Sequence, residues 1–174
     1  NDVLDIERVE SGKTELSAEA FDVCRLLDDV VSVIRPLADK RRLDFVFDCE
    51  VADPFFATDA QAVRQILLNL LGNAVKFTSS GEVRLTATAK NDGLRIEVRD
   101  TGCGVAPEDV HRIFEPFVKG GSPQAAALEP GTGLGLSIAT QLADLLGGTL
   151  TVKSELGKGS TFTLSVPRHL PPAS

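Results

Sequence analysis

The sequence lacks methionine altogether, even at position 1, and no apolar run in it approaches the length of a membrane-spanning helix. Because the chain also opens within an apparent helix, we expect a segment of a longer protein, with any sensor, membrane anchor or targeting signal outside it. We expect a cytoplasmic segment without membrane contact, whose parent is free to be anchored in a membrane. Its 174 residues suit one domain that buries a sizeable core.

Cysteine is scarce, and its spacing argues against two kinds of site. Cys24, Cys49 and Cys103 lack the short spacing of a metal site, and an odd number leaves no closed disulfide set. We therefore expect free thiols in a reducing compartment. The formal net charge of −7 argues against a general nucleic-acid-binding surface, and an anionic ligand would need a cation or a local array of donors.

The patterns of hydrophobicity predict an α+β two-layer sandwich, in which a mixed, mostly antiparallel sheet is covered on one face by three helices. The strands come in hairpins, one of them marked by an Asn-Asp-Gly turn at 91–93. Asp22 and Asp59 are expected to cap the first two helices, and Pro36 to kink or weaken the first. The expected strands are 13–20, 43–49, 83–89, 94–99, 149–154 and 160–166. The expected helices are one from Asp22 to the basic residues 40–42, the central helix, a short one at 107–114 and 134–146.

The central stretch 65–78, QILLNLLGNAVKFT, combines an apolar helical face with a polar stripe. Asn69, Asn73 and Lys76 follow at spacings of four and three, so they fall on one side of the helix. Amides and an ammonium among leucines are costly unless a polar group meets them. An amide oxygen suits Mg²⁺, which shares phosphate ligands, and the lysine would offset phosphate charge. Taken alone, the stripe is more simply the polar edge of a core helix.

Two glycine-rich motifs follow the central helix. DTGCGV at 100–105 comes directly after a strand, so Asp100 would stand at the strand end, and Gly102 and Gly104 would let the backbone approach a flat ligand. A glycine turn capped by the aspartate is the simpler alternative for this hexapeptide. GTGLGL at 131–136 opens a helix and would present backbone N–H groups to a phosphate, although a single glycine-rich match is a weak signal.

Taken in order, the motifs resemble those of the ATP-binding catalytic domain of sensor histidine kinases. This domain type belongs to a superfamily that includes gyrase, heat-shock chaperone ATPases and mismatch-repair ATPases. NLLGNAVKFT is similar to the N box, DTGCGV to the first G box, IFEPF at 113–117 to the F box and GTGLGL to the second G box. The resemblance covers almost the whole chain and implies the Bergerat-type ATP-binding fold over 14–168. Residues 1–13 resemble the end of a dimerisation helix, and 169–174 would form a frayed tail.

The resemblance implies metal and phosphate roles on the central helix and a base-binding role at the strand end. Asn73 would be the main Mg²⁺ ligand, with Asn69 beside it, and Lys76 would approach the phosphates. Asp100 would accept a hydrogen bond from adenine, with Ser160 helping through water unless it is only a strand hydroxyl. The base pocket would be shaped by Gly102 and Gly104.

The resemblance also implies a lid over 118–130 that closes on the nucleotide. Phe114 and Phe117 would anchor this lid, although as core aromatics they need no function. Lys119 would add positive charge from the lid. An equally good interpretation is that Lys119 is a solvated surface lysine. The phosphates would be enclosed by Gly131, Thr132, Gly133, Leu134 and Gly135.

The implied activity is transfer of the γ-phosphate of Mg²⁺-ATP to a histidine on a dimerisation domain of the same protein, and then to a response-regulator receiver domain. The parent would be a homodimer. His111 and His169 lack the surroundings of the acceptor motif, so we expect surface histidines. Where ATP-hydrolysing members of the superfamily carry a glutamate, this chain has Asn69, which cannot act as a base, so we expect weak ATPase activity.

Two alternatives stay open at this point. One is a non-catalytic platform, in which nucleotide serves only to order the fold. The other is a serine kinase of the anti-sigma-factor kind, which shares the superfamily pocket but is disfavoured by the opening residues 1–13 and by IFEPF.

Overall fold

The computed structural model describes residues 15–90, 92–115 and 135–171 and arranges them in two sheets and three α-helices. The helices are α1 (Val23–Lys40), α2 (Ala60–Phe77) and α3 (Gly135–Leu145), with a 3₁₀ turn at Arg112–Phe114. The strands are β1 (Glu19–Asp22), β2 (Asp44–Glu50), β3 (Phe55–Thr58), β4 (Glu82–Lys90), β5 (Gly93–Asp100), β6 (Thr149–Glu155) and β7 (Gly159–Pro167). The helix end expected over 1–13 lies outside the described residues.

The larger sheet has the strand order β2-β4-β5-β7-β6, and its register decides which strand ends meet. β2 pairs with β4 in parallel, and the other neighbours are antiparallel. The predicted mixed, mostly antiparallel sheet is therefore confirmed. Asp100, the last residue of β5, lies between Val83 of β4 and Ser160 of β7. Two segments 60 residues apart in sequence thus become direct neighbours at one end of the sheet.

One face of this sheet is apolar and covered by helices, and the other is polar. In β5, Leu94, Ile96 and Val98 are buried, whereas Arg95 and Arg99 between them are exposed. α1 packs against β2, α2 against β5 and α3 against β6, and α2 contacts both other helices. Each fully buried leucine or isoleucine contributes roughly 1.5–3 kcal/mol relative to an exposed one. The three-helix, two-layer architecture predicted from the sequence is confirmed.

Both predicted helix caps are present. The Asp22 carboxylate accepts from the N–H groups of Cys24 at 2.9 Å and Arg25 at 3.2 Å at the start of α1. Asp59 accepts from Ala62 N–H at 3.0 Å, and its second oxygen accepts from Ser17 N–H at 2.8 Å. Asp59 therefore caps α2 and also ties the start of the described chain to it.

Helix α1 continues through Pro36 to Lys40, so the proline does not end it. Its cap at Asp22 and six buried side chains along one face stabilise the helix on both sides of the missing N–H. The buried residues are Val23, Leu27, Val30, Val31, Ile34 and Ala38.

The smaller sheet corrects one expectation from the sequence and contains one strand that was not predicted. The strand expected over 13–20 begins only at Glu19 and extends to Asp22, where β1 pairs antiparallel with β3. Strand β3 was not predicted, because its four residues are too few to show a period. Phe56 in β3 is 2 % exposed, so this short strand contributes a core side chain.

The expected frayed tail is wrong for its first two residues. His169 forms a bridge with Ala57, and Leu170 N–H donates to Ala57 O at 2.8 Å. The preceding Arg168 donates to Phe55 O at 2.6 Å, and its guanidinium lies 4.3 Å from the centre of the Phe56 ring. The chain end is therefore held on β3 by backbone and side-chain contacts.

The short helix expected over 107–114 is instead a series of tight turns that ends in the 3₁₀ turn Arg112–Phe114. Asp109 N–H donates to Ala106 O, and Arg112 N–H donates to Asp109 O, both at 2.9 Å. Such three-residue spacing is that of turns and 3₁₀ helix rather than α-helix. Ile113 is 3 % exposed, so packing of this side chain on the core fixes the turn.

Candidate functional site

A cavity of about 60 Å³ lies where α2, the end of β5 and the start of α3 meet. Its lining includes a carboxylate, an amide and a hydroxyl among mostly apolar groups, which is the usual composition of a ligand pocket. Ile113 and Leu136, which flank the segment 116–134 in sequence, both border it. The lining residues are Asn73, Ala74, Phe77, Asp100, Cys103, Gly104, Val105, Ile113, Leu136, Ser160 and Phe162.

Asp100 is the acidic side chain of this cavity and is only 7 % exposed. Its Oδ1 accepts from Gly102 N–H at 2.9 Å. Burial raises the pKa of Asp100, and hydrogen bonds from the backbone of Gly102 and Ser160 partly oppose this rise. An ionised carboxylate accepts hydrogen bonds only, so this position suits a ligand that presents an N–H group.

The turn after Asp100 has no room for side chains at two positions. A Cβ on Gly102 would lie 2.4 Å from Phe77 O on α2. Gly104 has φ +69°, and a Cβ there would lie 2.1 Å from Glu155 O at the end of β6. Both glycines therefore allow the turn to pack closely against α2 and the β6–β7 hairpin, and their predicted approach to a flat ligand stays a prediction.

A pair of hydroxyls supports the pocket from the last hairpin. Ser160 is 7 % exposed, and its Oγ lies 2.7 Å from Ser154 Oγ, directly across the β6–β7 pair. Ser154 Oγ also accepts from Val105 N–H at 2.7 Å and donates to Gly159 O at 3.1 Å. With that proton used, the hydrogen between the two serines belongs to Ser160. Sequence reasoning missed Ser154, because only the hairpin register places it beside Ser160.

The structure separates the three polar residues of α2. Asn73 lines the cavity, and its side chain makes no hydrogen bond to the residues described. Asn69 bridges two helices instead, since its Nδ2 donates to Gly135 O at 3.1 Å and its Oδ1 accepts from Gln65 Nε2 at 3.3 Å. Sequence reasoning did not identify Gln65, although it opens the motif stretch.

Lys76 and Gly135 do not line the cavity, although each is next in sequence to a residue that does. Lys76 Nζ is 5.3 Å from the centre of the Phe77 ring, and that ring lines the cavity. Gly135 is the first residue of α3 and is half-buried beside Asn69. The remaining predicted site residues lie outside the described part of the chain; they are Phe117, Lys119, Gly131, Thr132, Gly133 and Leu134.

Phe114 packs against the core, and the two histidines are exposed at the surface. Phe114 packs edge to face on Phe162, with ring centres 6.2 Å apart, so it supports a wall of the cavity from behind. His111 and His169 are exposed, as expected for surface histidines.

Within residues 15–90, 92–115 and 135–171, His, Cys, Asp and Glu form no cluster of three or more that would hold a metal ion. None of the described helices is long and apolar enough to cross a membrane.

The fold is a two-layer α/β sandwich with a cavity between a buried strand-end carboxylate, Asp100, and an amide on the facing helix, Asn73. Residues 58–170 match a family described as histidine kinase-, DNA gyrase B-, and HSP90-like ATPase. The chain belongs to this family, and its similar proteins show that it is an ATP-binding catalytic domain of the sensor histidine kinase type.

Three of the similar proteins are bacterial sensor kinases. The chain is 41 % identical over 173 residues to sensor histidine kinase AruS of Pseudomonas aeruginosa, covering 95 % of the chain and 17 % of AruS. It is 37 % identical over 170 residues to virulence sensor protein BvgS of Bordetella bronchiseptica, which covers 95 % of this chain and 14 % of BvgS. To the autoinducer 2 sensor kinase/phosphatase LuxQ of Vibrio vulnificus, it is 36 % identical over 174 residues, which covers 96 % of this chain and 20 % of LuxQ. The chain thus spans a fifth or less of these relatives.

Solved structures agree with this assignment. Full-length ShkA in complex with AMPPNP has a TM-score of 0.86 and 38 % identity, covering 99 % of this chain and 36 % of ShkA. The nucleotide-free catalytic domain of histidine kinase ThkA has a TM-score of 0.76 and 26 % identity, covering 88 % of this chain and 97 % of that domain.

Proposed function

We propose that this chain binds Mg²⁺-ATP and donates the γ-phosphate to a histidine on a dimerisation domain of the same protein. The observation that carries the proposal is that Asn73 and Asp100, from different segments, line one cavity. The names of the relatives and the AMPPNP complex of ShkA support it. In this reading, residues 1–13 belong to a dimerisation helix, the ATP-binding domain spans 14–168, the parent is a homodimer and a response-regulator receiver domain takes up the phosphate.

Asp100 is suited to select adenine. Its buried carboxylate would accept from the exocyclic amine of the base, while Val105, Ile113 and Leu136 pack against the ring. Ser160 Oγ, whose proton is used on Ser154, is left as an acceptor on the same side. These two acceptors, one at the end of β5 and one at the start of β7, favour a base edge that carries donor hydrogens.

Asn73 is suited to hold the metal, because its amide lies in the cavity wall and has no hydrogen-bond partner among the described residues. When bound, Mg²⁺ supplies charge neutralisation on the phosphates. Lys76 would add a positive charge at the margin of the cavity, and Lys119 would do so from the proposed lid. The residues proposed to enclose the phosphates are Gly131, Thr132, Gly133, Leu134 and Gly135.

Asn69 differs from Asn73, because both ends of its amide are already used. If Asn69 also bound the metal, its Oδ1 would share its two lone pairs between the metal and Gln65. Its hydrogen bond to Gly135 O joins α2 to the start of α3, where the proposed phosphate loop ends. Asn69 would therefore serve mainly to position that loop, and since an amide is no general base, we expect little hydrolysis of ATP by water.

Titration with Mg²⁺-AMPPNP tests the assignment of the pocket. Asn73→Ala and Asp100→Asn are each expected to weaken binding by at least tenfold. Gln61→Ala, an exposed amide on α2, and Asp39→Asn, an exposed carboxylate on α1, are matched controls that should leave affinity unchanged. Undiminished affinity in both pocket variants would overturn the assignment.

A transfer assay tests the reaction. The chain is mixed with a separate dimerisation domain that carries the acceptor histidine, together with Mg²⁺ and γ-labelled ATP. Acid-labile label on that domain is the expected result, since phosphohistidine is labile in acid. Binding without transfer would favour a nucleotide-ordered platform, and acid-stable label would favour a serine kinase.

A further inference from the structure

Two of the three cysteines lie in contact, although they are far apart in sequence. Cys24 Sγ is 3.1 Å from Cys49 Sγ. Cys24 is in the first turn of α1, directly after the Asp22 cap, and Cys49 is in β2. Both side chains are half-buried, so they are held by packing and still reached by small molecules.

The packing of α1 on the sheet explains why the two sulfurs meet. Cys49 follows Phe45 and Phe47 on the face of β2 that the helices cover, and α1 packs against this strand. Val23 N–H donates to Pro54 O at 2.8 Å, which ties the first turn of α1 to the connection between β2 and β3. A disulfide needs the sulfurs to approach by about 1 Å more, a small side-chain movement.

We propose that Cys24 and Cys49 are a redox-reversible thiol pair, which small-molecule disulfides oxidise to an intramolecular disulfide joining α1 to β2. The described residues provide no third ligand that would make the pair a metal site. Cys103 is not part of it, because this thiol lies in the nucleotide cavity. All three cysteines are free thiols in the structure, as the sequence predicted, and the proposal does not rest on the proposed kinase reaction.

The reaction proceeds as two thiol–disulfide exchanges. One cysteine thiolate attacks a sulfur of oxidised glutathione, so that a mixed disulfide forms and one glutathione leaves. The second cysteine thiolate then attacks the protein sulfur of that mixed disulfide, forming the Cys24–Cys49 bond and releasing a second glutathione. The protein loses two thiol hydrogens, and one oxidised glutathione becomes two reduced molecules.

The surroundings of the pair favour the second exchange over the first. Burial, followed by the hydrogen bond with Cys49, raises the pKa of Cys24 to about 12, so this sulfur stays a thiol at neutral pH. Cys24 is therefore a slow attacking group, and we expect the mixed disulfide to form first on Cys49. Once a mixed disulfide exists, the other sulfur is already in contact with it, and closure is expected to outpace the first step.

The bond would fasten the start of α1 to the sheet far from the nucleotide cavity. Cys49 lies opposite Ala87 in β4, whereas Asp100 lies opposite Val83, which is roughly 13 Å away along the strand. Because the loop between the cysteines spans 25 residues, closing it removes freedom from the unfolded chain. Oxidation is expected to raise Tm by roughly 5–10 °C.

The test uses the whole chain with Cys103→Ser, which leaves only the pair, and the control adds Cys24→Ser. After equilibration with oxidised glutathione, the first protein should have no free thiol, a mass lower by two hydrogens and a peptide linking Cys24 to Cys49. The control should retain one glutathione on Cys49, because no second thiol resolves the mixed disulfide. Circular dichroism of both variants serves to check that they fold.

Thermal unfolding supplies the second measurement. Oxidised Cys103→Ser protein should melt at a higher temperature than its reduced form, and the difference should vanish in the control. The proposal is overturned if the pair stays reduced, if each cysteine carries glutathione, or if the bond forms between two chains. It is also overturned if the intramolecular bond forms and Tm falls, since the sulfurs would then be poorly placed in the native fold.

Discussion

Replacing Asp100 by asparagine removes the charge from the cavity while keeping the size of the side chain. An amide oxygen can still accept from Gly102 N–H, so the turn keeps its hydrogen bond at 2.9 Å. The other end of the amide would be an NH₂ group. This group donates hydrogen bonds and cannot accept one from the adenine amine. Losing a hydrogen bond to a charged group costs about 1.5–3 kcal/mol, which corresponds to about 10- to 150-fold weaker binding.

The same variant should alter the pH dependence of binding. Burial raises the pKa of Asp100 above its ordinary value, so the folded protein binds this proton more tightly than the unfolded chain does. Stability from the protonated carboxyl is thus fully present below the ordinary pKa and is lost as pH rises through the raised one. The pH dependence of nucleotide binding has the opposite sign, because the ionised acceptor is needed, so affinity should fall as pH is lowered from neutral and the carboxyl takes up a proton.

Isothermal titration with Mg²⁺-AMPPNP across this pH range measures both effects. The nucleotide titrates in wild type and variant alike, so the difference between the two curves isolates Asp100. Asp39→Asn is the control, because this carboxylate is exposed on α1. A wild-type curve parallel to that of Asp100→Asn, or a loss of affinity below threefold, would refute the role of the ionised carboxylate.

Three further predictions concern the fold around the site. Gly104→Ala should lower stability by more than about 1 kcal/mol, since φ is +69° and the new Cβ would overlap Glu155 O; an unchanged melting temperature would contradict the close approach. Asp59→Ala should lower the free energy of unfolding, measured by chemical denaturation, by about 1–2 kcal/mol. The reason is that α2 loses its cap and Ser17 N–H loses its acceptor. Asp59→Asn should retain most of this stability. Leu71→Ala, at a side chain with 0 % exposure, should lower the free energy of unfolding by about 2–5 kcal/mol. Leu145→Ala, at a side chain with 41 % exposure, should lower it by less than about 1 kcal/mol. Equal losses in the two variants would argue against the packing of α2.

The long helices were predictable because their signals are local. Asp22 and Asp59 precede apolar residues at helical spacing, and both act as caps in the structure. The β4–β5 hairpin was equally predictable from its Asn-Asp-Gly turn, where Asp92 has φ +65°. Short elements were not predictable, since β3 and the turns before Ile113 depend on partners distant in sequence.

The site was only partly accessible from the sequence. Asn73, Asp100, Gly104 and Ser160 were identified by their motifs, and they do line one cavity. Ser154 was missed, because a serine in an alternating strand carries no mark of the hydrogen bonds that it makes to Val105 and Gly159. The contact between Cys24 and Cys49 was likewise invisible, since 25 residues separate them.

The sequence by itself determined the long helices, the hairpin strands and the residue types available for nucleotide chemistry, because periodicity, caps and glycines act over a few residues. Only the tertiary structure decided that Asn73 faces the cavity while Asn69 joins α2 to Gly135. Both amides lie on the same side of one helix, four residues apart. Their different partners follow from the packing of α3 and the pairing of β5 with β7, which bring distant segments together.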